Sequence, residues 1–265
     1  AAQRYKQVGY DYQFGPISND YSSQDYHVKW SRLWKVSKQE IEYHKWNFWK
    51  TDYEPVEAII NWPGNGDQTN GQAAILAPFF DKDNDGIYEP MKGDYPLIRG
   101  DVSVFYIFND DKVHTETDGK ALKVEIHGMA YAYDEPSDTT LQNTVFLHLD
   151  LYNRSDNTYK DTYLGYFTDI DLGYAWDDYV GSHVQWGSYY GYNAMDIDGN
   201  GEPEAYGDKP PAQSITVLAG PFMDQDAEDN PDGQCDYGVN GLNFGDGIID
   251  NERMGMTRFI YFGNG

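Results

Sequence analysis

The sequence predicts a mainly β protein, an antiparallel β-sandwich with long twisted strands and one N-terminal helix. Three observations lead there. From residue 101 onward apolar residues recur with a period of two, in runs such as "DVSVFYIFND" and "TVFLHLDLYN". Loops rich in Gly, Asn and Asp separate these runs, as turns separate antiparallel strands. A full helix-start signal stands out in one segment, "VSKQEIEYHKW".

In that segment Ser37 and Glu40 form an S-x-x-E capping box, and Val36 and Ile41 occupy the two positions of a hydrophobic staple. The helix is predicted over about residues 38–49. His44 follows Ile41 by one turn, which places it on the buried-leaning stripe as a core or capping histidine. "NWPGNGDQTNGQ" at 61–72 reads as a Gly/Asn loop.

The strand series begins at residue 101. In "LKVEIHGMAYAY", Leu122, Val124 and Ile126 alternate with Lys123, Glu125 and His127. In "TVFLHLDLYN", Val145, Leu147, Leu149 and Leu151 share one face, and Phe146, His148, Asp150 and Tyr152 share the other. "DTYLGYFTDIDLG", "SHVQWGSYYGYN", "SITVLAG" and "TRFIYFG" continue the series. The expected organisation is an N-terminal region, 1–100, holding the helix and packing on the sheet of 101–265, the two forming one continuous domain.

Apolar residues make up 40% of the chain and aromatics 16%, enough for a packed core and unlike a disordered chain. The net charge of −25 supplies no basic footprint for nucleic acid and repels anionic membranes. No apolar run reaches the length of a membrane span. The single cysteine, Cys235, cannot form an intramolecular disulfide, and its Gly/Asp-rich loop offers no partner histidine.

The acids are clustered. "DKDNDGIYEPMKGDYP", residues 81–96, sets Asp81, Asp83 and Asp85 at alternate positions and then Gly86. A hard divalent cation such as Ca²⁺ takes six to eight oxygens, and a tight loop supplies them from alternate residues, with the carbonyl of Ile87 next. The twelfth position, where an EF-hand has a bidentate acid, is Lys92, so Glu89 and Asp94 are the candidate substitutes. "DIDGNGEPE" repeats the arrangement with Asp196, Asp198 and Asn200, and Glu202 or Glu204 to finish the shell. In "NFGDGIIDNE", Asp246, Asp250 and Glu252 read as a polar turn, and "MDQDAEDNPDG" reads as a solvated loop. The histidines form neither H-x-x-x-H nor H-x-H, and hard oxygens without a His/Cys cluster favour Ca²⁺ over Zn²⁺ or Cu²⁺.

Catalytic candidates are carboxylates among aromatics. "FTDIDLGYAWDDYVGSHVQW" holds Asp169, Asp171, Asp177, Asp178 and His183 beside Trp176, Tyr179 and Trp186. Such a pair could serve a glycosidase; the plainer reading is that these acids hold a cation or cap a turn. No G-x-S-x-G, P-loop or H-E-x-x-H motif occurs.

The wording of "LWKVSKQEIEYHK", "EAIINWPGNG", "LAPFFDKDNDGIYEPMKGDYPLIRGD", "LQNTVFLHLDLYNRS", "DTYLGYFTDIDLGYAWDDYVGS" and "NFGDGIIDNERMGMTRFIYF" resembles a family of large secreted proteins of Bacteroidota. Those proteins usually end in a type IX secretion sorting domain. The resemblance covers nearly the whole chain. It implies an extracellular or cell-surface location and a piece of a longer chain, with other domains of that chain as neighbours. It carries the calcium expectation to Asp81, Asp83 and Asp85, and transfers no catalytic residue. Thr139 in "DTT" resembles that phylum's D-[S/T]-x O-glycosylation sequence. The expected role is adhesion, polymer binding or surface assembly, with glycans or surface proteins as partners. The alternatives are a calcium-dependent carbohydrate-active enzyme and a structural subunit of an extracellular assembly.

Overall fold

The computed structural model describes residues 9–199, 201–223, 225–231 and 240–262. The chain forms two compact units, Ala1–Lys160 and Asp161–Gly265. Both are built on antiparallel sheets with few helices.

The first unit carries a five-stranded sheet. Its members are β1 (Gln13–Phe14), β2 (Trp34–Ser37), β5 (Val102–Asn109), β6 (Val124–Ala132) and β7 (Phe146–Asn153). β1 and β2 both pair with one edge of β5, and β6 and β7 follow on its other side. A small ribbon, β3 (Phe79–Phe80) with β4 (Tyr95–Pro96), brackets the acidic loop. Strands from either side of residue 100 therefore share one sheet.

Helices α1 (Gln24–Trp30), α2 (Lys38–Lys45) and α3 (Glu57–Ile60) come from the N-terminal segment. In α2 the capping box forms as its sequence implies: the Ser37 side chain accepts from the Glu40 N–H, and Glu40 accepts from the Ser37 N–H. Both staple residues, Val36 and Ile41, are buried. The helix ends at Lys45 rather than at 49. The Asn47 side-chain amide donates to the Tyr43 carbonyl, and the Asn47 and Phe48 N–H groups both turn back to the His44 carbonyl. Side-chain competition for a helix carbonyl ends the regular ladder. α1, absent from the sequence reading, starts at Ser23, whose hydroxyl accepts from the Tyr26 N–H.

Aromatic rings dominate the core of this unit. Tyr26, Trp30, Trp34, Trp62, Tyr88 and Phe105 pack with Val36, Ile59, Leu76 and Met129. The polar ends of the rings are satisfied. Trp34 Nε1 donates to the Asn61 carbonyl, Trp62 Nε1 to the Pro78 carbonyl, and Tyr88 Oη to the Ile59 carbonyl. His44 is the buried capping histidine its position suggests: Nε2 lies 2.9 Å from the Asp94 carbonyl and Nδ1 3.0 Å from Tyr53 Oη. A carbonyl only accepts, so Nε2 carries the proton.

One face of β6 runs against its hydrophobic pattern. Glu125, His127 and Met129 are buried, whereas Val124 and Ile126 are only half-buried. On β7 it is Leu147, Leu149 and Leu151 that stay exposed. Glu125 tolerates burial because both its oxygens are filled. Oε1 accepts from His127 Nε2 at 2.9 Å and from Arg154 Nη2 at 2.7 Å, and Oε2 accepts from the Ile17 N–H at 2.7 Å. Burial pushes its carboxyl up, but these hydrogen bonds and the Arg154 charge outweigh it and hold the group below its ordinary value.

The second unit carries a three-stranded sheet of β8 (Asp178–His183), β9 (Ser188–Asn193) and β10 (Ala212–Thr216). "SHVQWGSYYGYN" splits into the end of β8, a 3₁₀ turn over Val184–Trp186 and the whole of β9. The strand expected at "SITVLAG" lies two residues earlier. "DTYLGYFTDIDLG" and, among its described residues, "TRFIYFG" form no strand. In the first of these, backbone groups go to side chains instead of a ladder: the Leu172 N–H donates to Asp178 Oδ2, and just beyond it the Tyr174 N–H donates to Asp198 Oδ1. Among the described residues the sheets are antiparallel, in sets of five, three and two strands. Among the described residues no helix is long and apolar enough to cross a membrane.

Candidate cation sites

The loop at 81–94 is tied into a compact turn by its own acids. Asp81 Oδ1 accepts from the Asn84 and Asp85 N–H groups, and Oδ2 from the Gly86 N–H at 2.7 Å. The Gly86, Asn84 and Asp85 N–H groups hold the Asp81 carboxyl below its ordinary value despite some desolvation, so it is charged at neutral pH. Gly86 sits at φ +79°, in the left-handed region that closes the turn. The Ile87 N–H donates to Asp85 Oδ1, and the Ile87 side chain is exposed. Asp94 is fully buried: Oδ1 accepts from the Lys82 N–H and Oδ2 from the Glu89 N–H, so one carboxylate ties both ends of the loop together.

Two sets of carboxylates converge here, Asp81 with Asp83 and Asp94, and Asp83 with Asp85 and Glu89; in each set the ligand atoms lie within 4.8 Å of one another. These sets can hold a cation. Both candidate substitutes for the missing twelfth ligand, Glu89 and Asp94, are brought in. Lys92 itself reaches into the second set: its Nζ lies 3.5 Å from Asp85 Oδ2 and 3.8 Å from Asp83 Oδ2, and pairs with Glu89. The loop thus carries a cation of its own.

The second predicted loop is not assembled in this way. Asp196 and Glu202 are exposed, and Asn200 lies outside the described residues. Asp198 turns inward and is buried, with Oδ1 accepting from the Tyr174 N–H and Oδ2 from the Tyr206 N–H. Gly173, at φ +78°, lets its backbone pass close to this carboxylate; a Cβ there would lie 2.1 Å from Asp198 Oδ2.

The segments read as polar turn and solvated loop interlock. Asp250 Oδ1 accepts from the Asp226 and Ala227 N–H groups, the Asp229 carboxylate from Gly245 and Gly247, and buried Glu252 from Asn230. These acids act as backbone caps. Asp224 and Cys235 lie outside the described residues.

Asp177 and Asp178 stand where β8 begins. Asp177 Oδ2 accepts from the Gly199 N–H at 3.0 Å and Asp178 Oδ2 from the Leu172 N–H at 2.8 Å. Burial raises the Asp178 carboxyl; the Leu172 N–H opposes this, and the nearby charges of Asp177, Asp198 and Asp171 add to it. His183 lies at the far end of β8, five residues away or about 16 Å along an extended strand, with its ring stacked on Trp186 at 4.1 Å. The structure does not bring it to the two acids. Two surface grooves of the first unit, about 370 and 360 Å³, are lined by neither acid. Thr139 is exposed at the start of helix α4 (Thr139–Gln142), which Asp138 caps.

The chain matches no family model, and no curated protein or solved structure gives a significant match to it.

Proposed function

We propose that this chain is a calcium-stabilised, non-catalytic β module of an extracellular or cell-surface protein, serving adhesion, polymer binding or surface assembly. The observation that supports the reading is the convergence of Asp81, Asp83, Asp85, Glu89 and Asp94 into two oxygen sets on one loop. Hard oxygens without His or Cys suit Ca²⁺, whose flexible coordination tolerates an irregular loop. The module offers candidate contact surfaces for glycans or surface proteins: the leucines of β7 and, in the second unit, exposed Trp176, Tyr179 and Trp186.

The test is a thermal melt in millimolar calcium and again in excess chelator. A bound ion stabilises by roughly 2.7 kcal/mol at a hundredfold excess over its Kd, which moves the melting temperature by several degrees. An unchanged melt removes calcium from the proposal. A glycan and surface-protein array with no binder removes adhesion.

A second reading is a carbohydrate-active enzyme working through Asp177 or Asp178. Two adjacent carboxylates at the start of β8, beside exposed Trp176 and Tyr179, favour it. Polysaccharide turnover abolished by Asp177→Ala in a folded protein would establish it.

A further inference from the structure

The three-stranded sheet of the second unit has two unlike faces. One is packed against its own chain. A Cβ built at Gly191 would lie 2.7 Å from Ile170 Cγ2, and the Tyr189 ring stacks on Phe259, with its hydroxyl 2.6 Å from Thr168 Oγ1. Residues directly opposite in antiparallel strands share a face, so the register lays out the other one. Tyr179 stands across from Tyr192, Gly181 from Tyr190, and His183 from Ser188. β10 adds Ala212, Ser214 and Thr216 to the same three rows.

This other face is lined by rings and open to solvent. Tyr179 is 61% exposed and Tyr192 39%, and they meet edge to face with centroids 6.2 Å apart. In the middle row Gly181 has no side chain, and the Tyr190 ring lies over it: a Cβ there would be 2.7 Å from Tyr190 Cζ. At the far end the Trp186 ring lies on His183, 20° from parallel, and is 65% exposed. Beside it the Ser188 and Thr216 hydroxyls pair across strands at 2.7 Å. From Tyr179 to His183 the rings span about 13 Å of strand, more than one sugar ring covers.

Charge and ring geometry decide the ligand. No Asp, Glu, Lys or Arg stands in these three rows, and the chain as a whole carries −25. A polyanion is repelled, with no cation on this face to receive it. A protein partner is offered neither arginine nor an aliphatic side chain larger than Ala212. A neutral polysaccharide suits the face: its C–H bonds pack on the negative π faces, and its hydroxyls meet those of Ser214 and Thr216. The rings are not coplanar, with Tyr190 and Tyr192 tilted by 43° and Tyr179 and Tyr192 by 86°. They match one chain that turns along its length, and not a flat crystalline surface. We propose, resting on the polymer-binding role above, that this face binds a single chain of a neutral polysaccharide stacked on Tyr179, Tyr192 and Trp186.

The experiment is titration calorimetry of the full chain with cellohexaose and mannohexaose as neutral probes and hexagalacturonate as the anionic one. A neutral probe should bind and hexagalacturonate should not. Trp186→Ala and Tyr192→Ala, both at exposed positions and with wild-type melting temperatures, should each weaken binding by about tenfold. Leu149→Ser, on the exposed leucine row of β7, should leave it unchanged. A neutral probe bound equally well by both ring variants would overturn this face and leave polymer binding standing elsewhere on the chain. Binding of hexagalacturonate alone, or of none of the three, would overturn the face as a neutral-glycan site. A protein found on a surface-protein array and lost with Trp186→Ala would then assign the face to that protein.

Discussion

Glu125 and Asp178 are both carboxylates at sheet positions with oxygens withdrawn from water, and they are completed in different ways. Glu125 is closed by the protein: Arg154 and His127 on one oxygen and the Ile17 N–H on the other. Asp178 has the Leu172 N–H on one oxygen and nothing from the described residues on the other. Consistent with this, the Glu125 carboxyl is lowered and the Asp178 carboxyl raised. An acid matched by an internal cation is part of the scaffold. Asp178 keeps an oxygen that no donor of the described residues fills, among like charges. The 81–94 loop lies between the two, with exposed acids and a lysine among them.

The largest effect expected from this contrast is on the closed site. Arg154→Met leaves Glu125 buried with its charge uncompensated, and should cost about 3 kcal/mol in urea unfolding. The pH dependence follows from the lowered carboxyl. Its stabilisation is present above the unfolded value, near 4.5, and is lost as the pH falls through the folded value. The gap between wild type and Arg154→Met should therefore narrow in acid. A gap under about 1 kcal/mol at neutral pH would show that Glu125 does not depend on the guanidinium.

The open site should behave in the opposite sense. A carboxyl raised in the fold contributes stability that is full below its unfolded value, near 3.8, and is lost as the pH rises through the folded value. In chelator, the Asp178 contribution should therefore make the second unit more stable in mild acid than at neutrality. Comparing chelated wild type with Asp178→Asn isolates the term: the variant should lose this acid-side gain. An identical pH profile for the two would remove Asp178 from the account.

Much of the scaffold was readable, because its signals are local. The Ser37/Glu40 box with its staple, and the alternation of β5, β6 and β7, each follow from a few adjacent residues. What failed depends on partners distant in sequence. The buried face of β6 could not be told from its pattern, since Glu125 goes inside only because Arg154, on the neighbouring strand's exit, and Ile17 come to meet it. "DTYLGYFTDIDLG" alternates like a strand but finds no ladder. The candidate site divides in the same way. The alternate aspartates of 81–85 are legible as a loop, whereas the pairing of Asp178 with Asn193 exists only through the register of the β8–β9 hairpin. The acids of "WDD" read from the sequence as holding a cation or capping a turn; their register with Asn193 does not.

The smallest stability effect, and the sharpest use of the contrast, is at Lys92. Its ammonium is half-exposed and its partners are surface acids, so these pairs contribute at most about 1 kcal/mol. In chelator Lys92→Glu should therefore leave the first unit close to wild type, with at most a slight loss from added repulsion. In calcium the change is chemical: it removes the competing internal cation and restores a carboxylate at the twelfth loop position, where a bidentate acid completes an EF-hand-type shell. The variant should bind calcium at least about tenfold more tightly by titration calorimetry, which is about 1.4 kcal/mol. That outcome would show that the loop is closed in the manner of Glu125, by its own lysine, and opens when the lysine is removed. Unchanged affinity would mean that the 81–94 acids serve the turn alone, as the Asp81 and Asp94 hydrogen bonds already do.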